Sequence, residues 1–145
     1  MTCPVLPEAA AQNDCDQPPP DVTIIDCGIG NIRSVQRMFE AADGTAEIAT
    51  EPGELARARR VALPGVGAFD AGMSALTEGG WIEPLTEAVM VRRLPFIGIC
   101  LGMQLLCRQS EEGQLLGLGW IEADVMRLER GGRKDLKLPH MGWSI

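Results

Sequence analysis

From Asp21 onward the chain alternates short apolar runs with segments of helical period. Val22-Thr23-Ile24-Ile25 predicts a buried strand; after the turn Asp26-Cys27-Gly28-Ile29-Gly30, Ile32, Val35, Phe39 and Ala42 fall on one stripe of a helix. Asn31 suits the N-cap of that helix and Gly44 its stop. The pattern then predicts a short strand over residues 46–49, a brief helix led by Pro52 that carries Leu55 and Ala58, and a strand over residues 60–63 running into Pro64-Gly65-Val66-Gly67. Helical pieces over 70–78 and 81–93 lead to an apolar strand over 95–99 and a second helix-opening turn at Cys100. Such alternation predicts an α/β domain of mostly parallel strands with helices on both faces and a ligand site at the carboxyl ends of the strands. After Glu112 the period changes to strand alternation through Trp120, Ile121, Ala123, Val125 and Leu128. A Gly131-Gly132 turn and the run 136–138 follow, so antiparallel strands are expected to extend the sheet. The chain stops at Ile145, at the start of what reads as another strand. The expectation is therefore a sheet incomplete at its C-terminal end, with an open edge and exposed apolar surface.

Composition narrows the function classes. Residues 1–20 hold five of the ten prolines and no apolar period, which reads as a disordered leader ahead of one domain over residues 21–145. With 13 basic against 20 acidic side chains the chain carries a formal charge of −7, and no basic run exceeds two residues, which argues against a nucleic-acid partner. No stretch approaches the roughly 18 consecutive apolar residues of a membrane span. The five cysteines are odd in number and irregularly spaced, which points to the reducing cytoplasm rather than to a disulfide framework. One histidine, His140, and scattered thiols supply no ligand set, so neither metal nor cofactor is expected.

Candidate chemistry gathers at two glycine-bearing turns. Gly98-Ile99-Cys100-Leu101-Gly102 follows the nucleophile-elbow spacing G-x-S-x-G with Cys in place of Ser. Flanking glycines would permit a tight bend; the helix start beyond it offers unpaired N–H groups and a positive dipole end to the sulfur, and the Leu101 N–H could hold an oxyanion. Spacing alone leaves open whether Cys100 is a nucleophile or one more small packed side chain. Likewise, Pro64-Gly65-Val66-Gly67 is either a plain turn or the source of a second oxyanion donor. Gly28-Ile29-Gly30 lacks the third glycine and the lysine of a phosphate-binding loop.

These segments carry a resemblance. Residues 24–31, Leu63-Pro64-Gly65-Val66-Gly67-Ala68-Phe69, Gly98-Ile99-Cys100-Leu101-Gly102-Met103-Gln104-Leu105-Leu106, Ser110-Glu111-Glu112 and Pro139-His140-Met141-Gly142-Trp143 occur in the order of one family. The chain resembles class I glutamine amidotransferases, and within them the glutaminase subunits of imidazole glycerol phosphate synthase. The resemblance implies a flavodoxin-like fold and hydrolysis of L-glutamine to glutamate and ammonia through a Cys100 thioester. It also implies a heterodimer in which ammonia passes to a (β/α)8-barrel cyclase subunit in histidine biosynthesis. By the same resemblance Gly65, Val66 and Leu101 match the oxyanion hole, and Gly67, Gln104, Glu112 and Asn31 match the substrate site and its adjoining loop. Met141 and Trp143 match the cyclase-facing surface, or pack within a strand. The family's catalytic base and its orienting carboxylate come from a His-x-Glu pair beyond the Pro-His-Met-Gly-Trp segment, and His140 matches a structural position instead. A truncated chain with the nucleophile half of the site is the corresponding expectation. Cys27 stands where the family usually has an aromatic residue, and Ser144 where it has asparagine. Three alternatives stay open: a paralogue supplying ammonia to a sugar-modifying enzyme, a non-catalytic module that docks on the cyclase, and a cysteine hydrolase acting on peptides or small aldehydes.

Overall fold

The computed structural model describes residues 18–128. Strands β1 (Val22–Ile25), β2 (Ala46–Ala49), β3 (Val61–Gly65) and β4 (Phe96–Cys100) form one sheet in the order β2-β1-β3-β4, and every pairing in it is parallel. In this doubly wound order the direction of winding reverses between β1 and β3, and their carboxyl ends frame the crevice where such folds bind ligands. All residues of β1 and β3 are buried, because helices cover both faces of the sheet.

Side-chain alternation along the strands feeds two cores. Val22 and Ile24 of β1 and Ala62 of β3 cluster with Ile32 of α1 (Ile32–Ala41), against which Val35 and Phe39 also pack. On the opposite face Ile25, Val61 and Leu63 cluster with Phe69, Met73 and Leu76 of α2 (Phe69–Glu78), Leu85 of α3 (Ile82–Thr86) and Leu101 of α4 (Leu101–Gln104). Phe69, Leu76 and Leu85 are fully buried, and each such side chain contributes roughly 1.5–3 kcal/mol by leaving water.

Local signals explain most element ends. The Asn31 side-chain oxygen accepts the Ser34 N–H at 3.4 Å and caps α1, as expected. Its far end differs from expectation: Ala42 caps the helix and Asp43, at φ +59°, takes the left-handed turn that Gly44 was expected to supply. The segment led by Pro52 is a 3-10 helix, Pro52–Arg57, boxed at its start by the Glu54 carboxylate, which accepts the N–H groups of Thr50 and Glu51 at 2.7 and 2.9 Å. Beyond α3 a π-helical turn, Glu87–Val91, ends at Arg92, whose guanidinium donates to the Leu55 and Ala58 carbonyls at 2.9 Å each.

The antiparallel extension expected after Glu112 is corrected by the structure. Within the described residues the only strand there is β6 (Asp124–Val125), paired in parallel with β5 (Gln109–Ser110) in a separate two-stranded sheet. The chain between them folds back on the end of α4 instead of pairing with β4. Gly117, Leu118, Gly119 and Ile121 donate their N–H groups to the carbonyls of Arg108, Leu105, Cys107 and Leu106. Trp120, which imitates strand alternation in the sequence, packs on the core from this loop beside Leu118 and stands edge-on to Phe96 at 5.6 Å. Among the described residues β4 pairs on its β3 side alone, and no helix is long and apolar enough to cross a membrane. Residues 18–20 have no regular structure; the rest of the expected leader, the Gly131-Gly132 turn and the run 136–138 lie outside the described residues.

Candidate active site

Cys100 is the last residue of β4 and stands immediately before α4, exposed, at φ +55° and ψ −113°. This is the conformation of the first central residue of a type II′ turn, which glycine normally occupies. The strained bend therefore falls on the cysteine itself, while its flanking glycines serve another need. Neither Gly98 nor Gly102 has positive φ. A Cβ on Gly98 would lie 2.6 Å from the Gly102 carbonyl oxygen, and one on Gly102 would collide with the Leu63 carbonyl. Both positions are glycine for space, so that α4 can turn back directly onto β3 and β4.

The second turn meets the first at the same place. Gly65 lies opposite Cys100 in the β3–β4 register, and a Cβ on Gly65 would approach Gly102 N to 2.8 Å and Leu101 Cβ to 3.0 Å. Gly65, Cys100 and Leu101 are thus brought together as expected. Val66 is exposed, but its N–H donates to the Ile29 carbonyl at 2.5 Å, so this expected oxyanion donor is already committed. Gly67, at φ +110°, turns the chain out of the strand end toward α2. Gln104 is half-buried at the end of α4, one helical turn from Cys100. Because α4 has only four residues, the summed dipole of a long helix is absent here, and the Cys100 sulfur makes no capping hydrogen bond to its first turn.

The first loop adjoins the site through its backbone. Ile29 accepts from Val66, and Gly30 is so close to Pro64 that a Cβ there would lie 2.9 Å from the Pro64 carbonyl oxygen. The Asn31 oxygen is occupied in capping α1. Cys27 is half-buried against the core, and burial pushes its thiol above the ordinary value, which favours the neutral, less reactive form. Glu112 is exposed in a turn after β5, where its N–H donates to the Ser110 hydroxyl at 3.1 Å. That turn is also held by Asp70 in the first turn of α2, a residue whose sequence signal was no more than an acid near a helix start. His140, Met141 and Trp143 lie outside the described residues. Within the described residues no group of three or more His, Cys, Asp or Glu side chains could hold a metal ion.

Comparisons with known proteins bear on the family and the fold. The family model for glutamine amidotransferase class-I matches residues 23–145. Imidazole glycerol phosphate synthase subunit HisH 2 of Pseudomonas aeruginosa is 47% identical over 123 residues, covering 85% of this chain and 60% of that relative. Subunit HisH of Geobacter metallireducens is 46% identical over 127 residues, with the same 85% and 60% coverage. The chain thus spans about 60% of the length of these curated relatives. A crystal structure of a glutamine amidotransferase superposes with a TM-score of 0.64 at 20% identity, covering 74% of this chain and 56% of that one, a likeness of fold. With the family model spanning the sheet, the elbow and the glycine turn beside it, this chain belongs to the class-I glutamine amidotransferase family.

Proposed function

We propose that the chain carries the nucleophile and oxyanion groups of a glutaminase that delivers ammonia to a cyclase partner in the reducing cytoplasm. The observation that carries this reading is Cys100 held exposed at φ +55° on the elbow, beside the end of β3. In the proposed reaction the Cys100 sulfur attacks the side-chain carboxamide carbon of glutamine. The C–N bond then breaks, ammonia leaves with the proton taken from the thiol, and water cleaves the resulting thioester to give glutamate. Leu101, as the first residue of α4, presents its N–H toward the developing oxyanion. A second donor from Val66 requires its bond to Ile29 to open, at about 1 kcal/mol for one exchanged hydrogen bond. Gln104, Glu112 and Gly67 hold the substrate, with the Glu112 carboxylate facing the α-ammonium. His140, the one imidazole in the chain, lies outside the described residues, and we assign it no part in the proton transfer. The relatives named as subunits of imidazole glycerol phosphate synthase support a cyclase as the partner, with Met141 and Trp143 as candidate contacts.

The test is glutamate release from glutamine by the chain mixed with the cyclase subunit and its nucleotide substrate, beside Cys100→Ala. Turnover that disappears in Cys100→Ala supports the assignment, and turnover that survives it overturns Cys100 as nucleophile. If neither protein turns over, alkylation decides: Cys100 modified far ahead of Cys27 and Cys107 supports a formed nucleophile. Equal modification of the three thiols overturns it.

A further inference from the structure

The loop that carries Glu112 is tied to the glycine turn beside Cys100 through one carboxylate. Asp70 follows directly on the segment 64–69 that leads out of β3. Both of its oxygens accept the Gln114 N–H, at 3.0 and 2.9 Å, and Oδ1 also accepts the Leu115 N–H at 3.0 Å. Gly113 is pressed so closely on the carboxylate that a Cβ there would overlap Oδ1. On the other side of the turn, the buried Ser110 takes the Glu112 N–H on its hydroxyl at 3.1 Å and the Gly113 N–H on its carbonyl at 3.2 Å. The Glu111 N–H donates to the Val125 carbonyl at 2.9 Å. Glu112 therefore sits between two fixed points, Ser110 behind it and Asp70 ahead of it.

Resting on the glutaminase reading above, we infer that Asp70 is a positioning residue for substrate recognition. It sets where Glu112 stands relative to Cys100, and so matches the α-amino end of the substrate to the thiol. A carboxylate suits this task because two successive backbone N–H groups converge on it, and charge-assisted bonds of this kind are about twice as strong as neutral ones. Glutamine contacts Asp70 in no step; the effect is transmitted through the backbone of 113–115.

Two reagents separate positioning from folding. The chloromethyl ketone analogue of glutamine carries the α-amino acid end, and the thiolate displaces its chloride to form an S–C bond. Iodoacetamide alkylates the same thiol by loss of iodide without needing that end. The ratio of the two labelling rates at Cys100, followed by intact mass with peptide mapping, reports recognition of the amino acid alone. In Asp70→Ala the ratio is expected to fall about tenfold, the loss of one charge-assisted bond, while the iodoacetamide rate holds. Asp70→Asn, which keeps one acceptor oxygen, should recover part of the ratio, and Gly113→Ala, which displaces the carboxylate from the other side, should lower it as Asp70→Ala does. An unchanged ratio in both Asp70→Ala and Gly113→Ala overturns the positioning role while leaving the glutaminase reading intact. A wild-type ratio equal to that of free cysteine overturns the glutaminase reading and the positioning role together.

Discussion

Glycine at position 100 should make the fold more stable than alanine there. At φ +55° and ψ −113° any residue with a Cβ is strained, and such conformations cost about 1–3 kcal/mol. Both Cys100→Gly and Cys100→Ala remove the sulfur, so their comparison isolates the Cβ. Position 100 is exposed, and losing one methyl there gives up little buried area. Opposing the relief is the greater freedom of glycine in the unfolded chain, about 0.4–1 kcal/mol. Taking the middle of each range, the net gain of Gly over Ala is about 1.3 kcal/mol. For a chain of this size that corresponds to a Tm higher by roughly 3–6 °C. Thermal unfolding followed by far-UV circular dichroism, with urea unfolding as a second measure, reads the difference directly. A Gly variant equal to or less stable than the Ala variant would refute the argument that the elbow stores backbone strain.

Three further outcomes test the surrounding framework. Gly102→Ala places a Cβ against the Leu63 backbone carbonyl and should cost about 1–3 kcal/mol in urea unfolding, with a drop in the alkylation rate of Cys100 as the elbow opens. Arg92→Met removes both donors from the Leu55 and Ala58 carbonyls and should destabilise by about 1–2 kcal/mol, and an unchanged urea midpoint would show that water replaces the guanidinium without loss. The Thr45 backbone N–H, and then its hydroxyl, hold the Asp21 carboxyl below its ordinary value. A lowered folded pKa stabilises above the unfolded value and ceases to do so as pH falls through the folded one. Asp21→Asn should therefore lower Tm at pH 7 and converge with wild type in acid, a pattern that a pH series of melts checks.

Much of this protein was legible in the chain because the information is local. The β-branched run 22–25, the stripe through Ile32, Val35 and Phe39, the Asn31 cap and the Pro52 start depend on neighbours within a turn or two, and each stands where the pattern placed it. Parallel strands with helices on both faces follow from the same alternation. The elbow was legible too, although the reason for its glycines was not: the sequence shows G-x-C-x-G, while only the packing of α4 on Leu63 shows that they are there for space and that Cys100 carries the strain. What escaped the sequence is contact between residues far apart in the chain. The alternation through Trp120 imitates a strand because a loop folded on a core also buries every second or third side chain, and the acceptors on 105–108 that hold it are unmarked by residue type. The donation of Val66 to Ile29 and the grip of Asp70 on residues 114 and 115 are likewise tertiary, since backbone N–H groups are the same in every residue but proline. Residue types along the chain determined which elements form and where a thiol could react; which backbone groups remain free around that thiol was decided only when β3, β4, α2 and the loop after β5 came together.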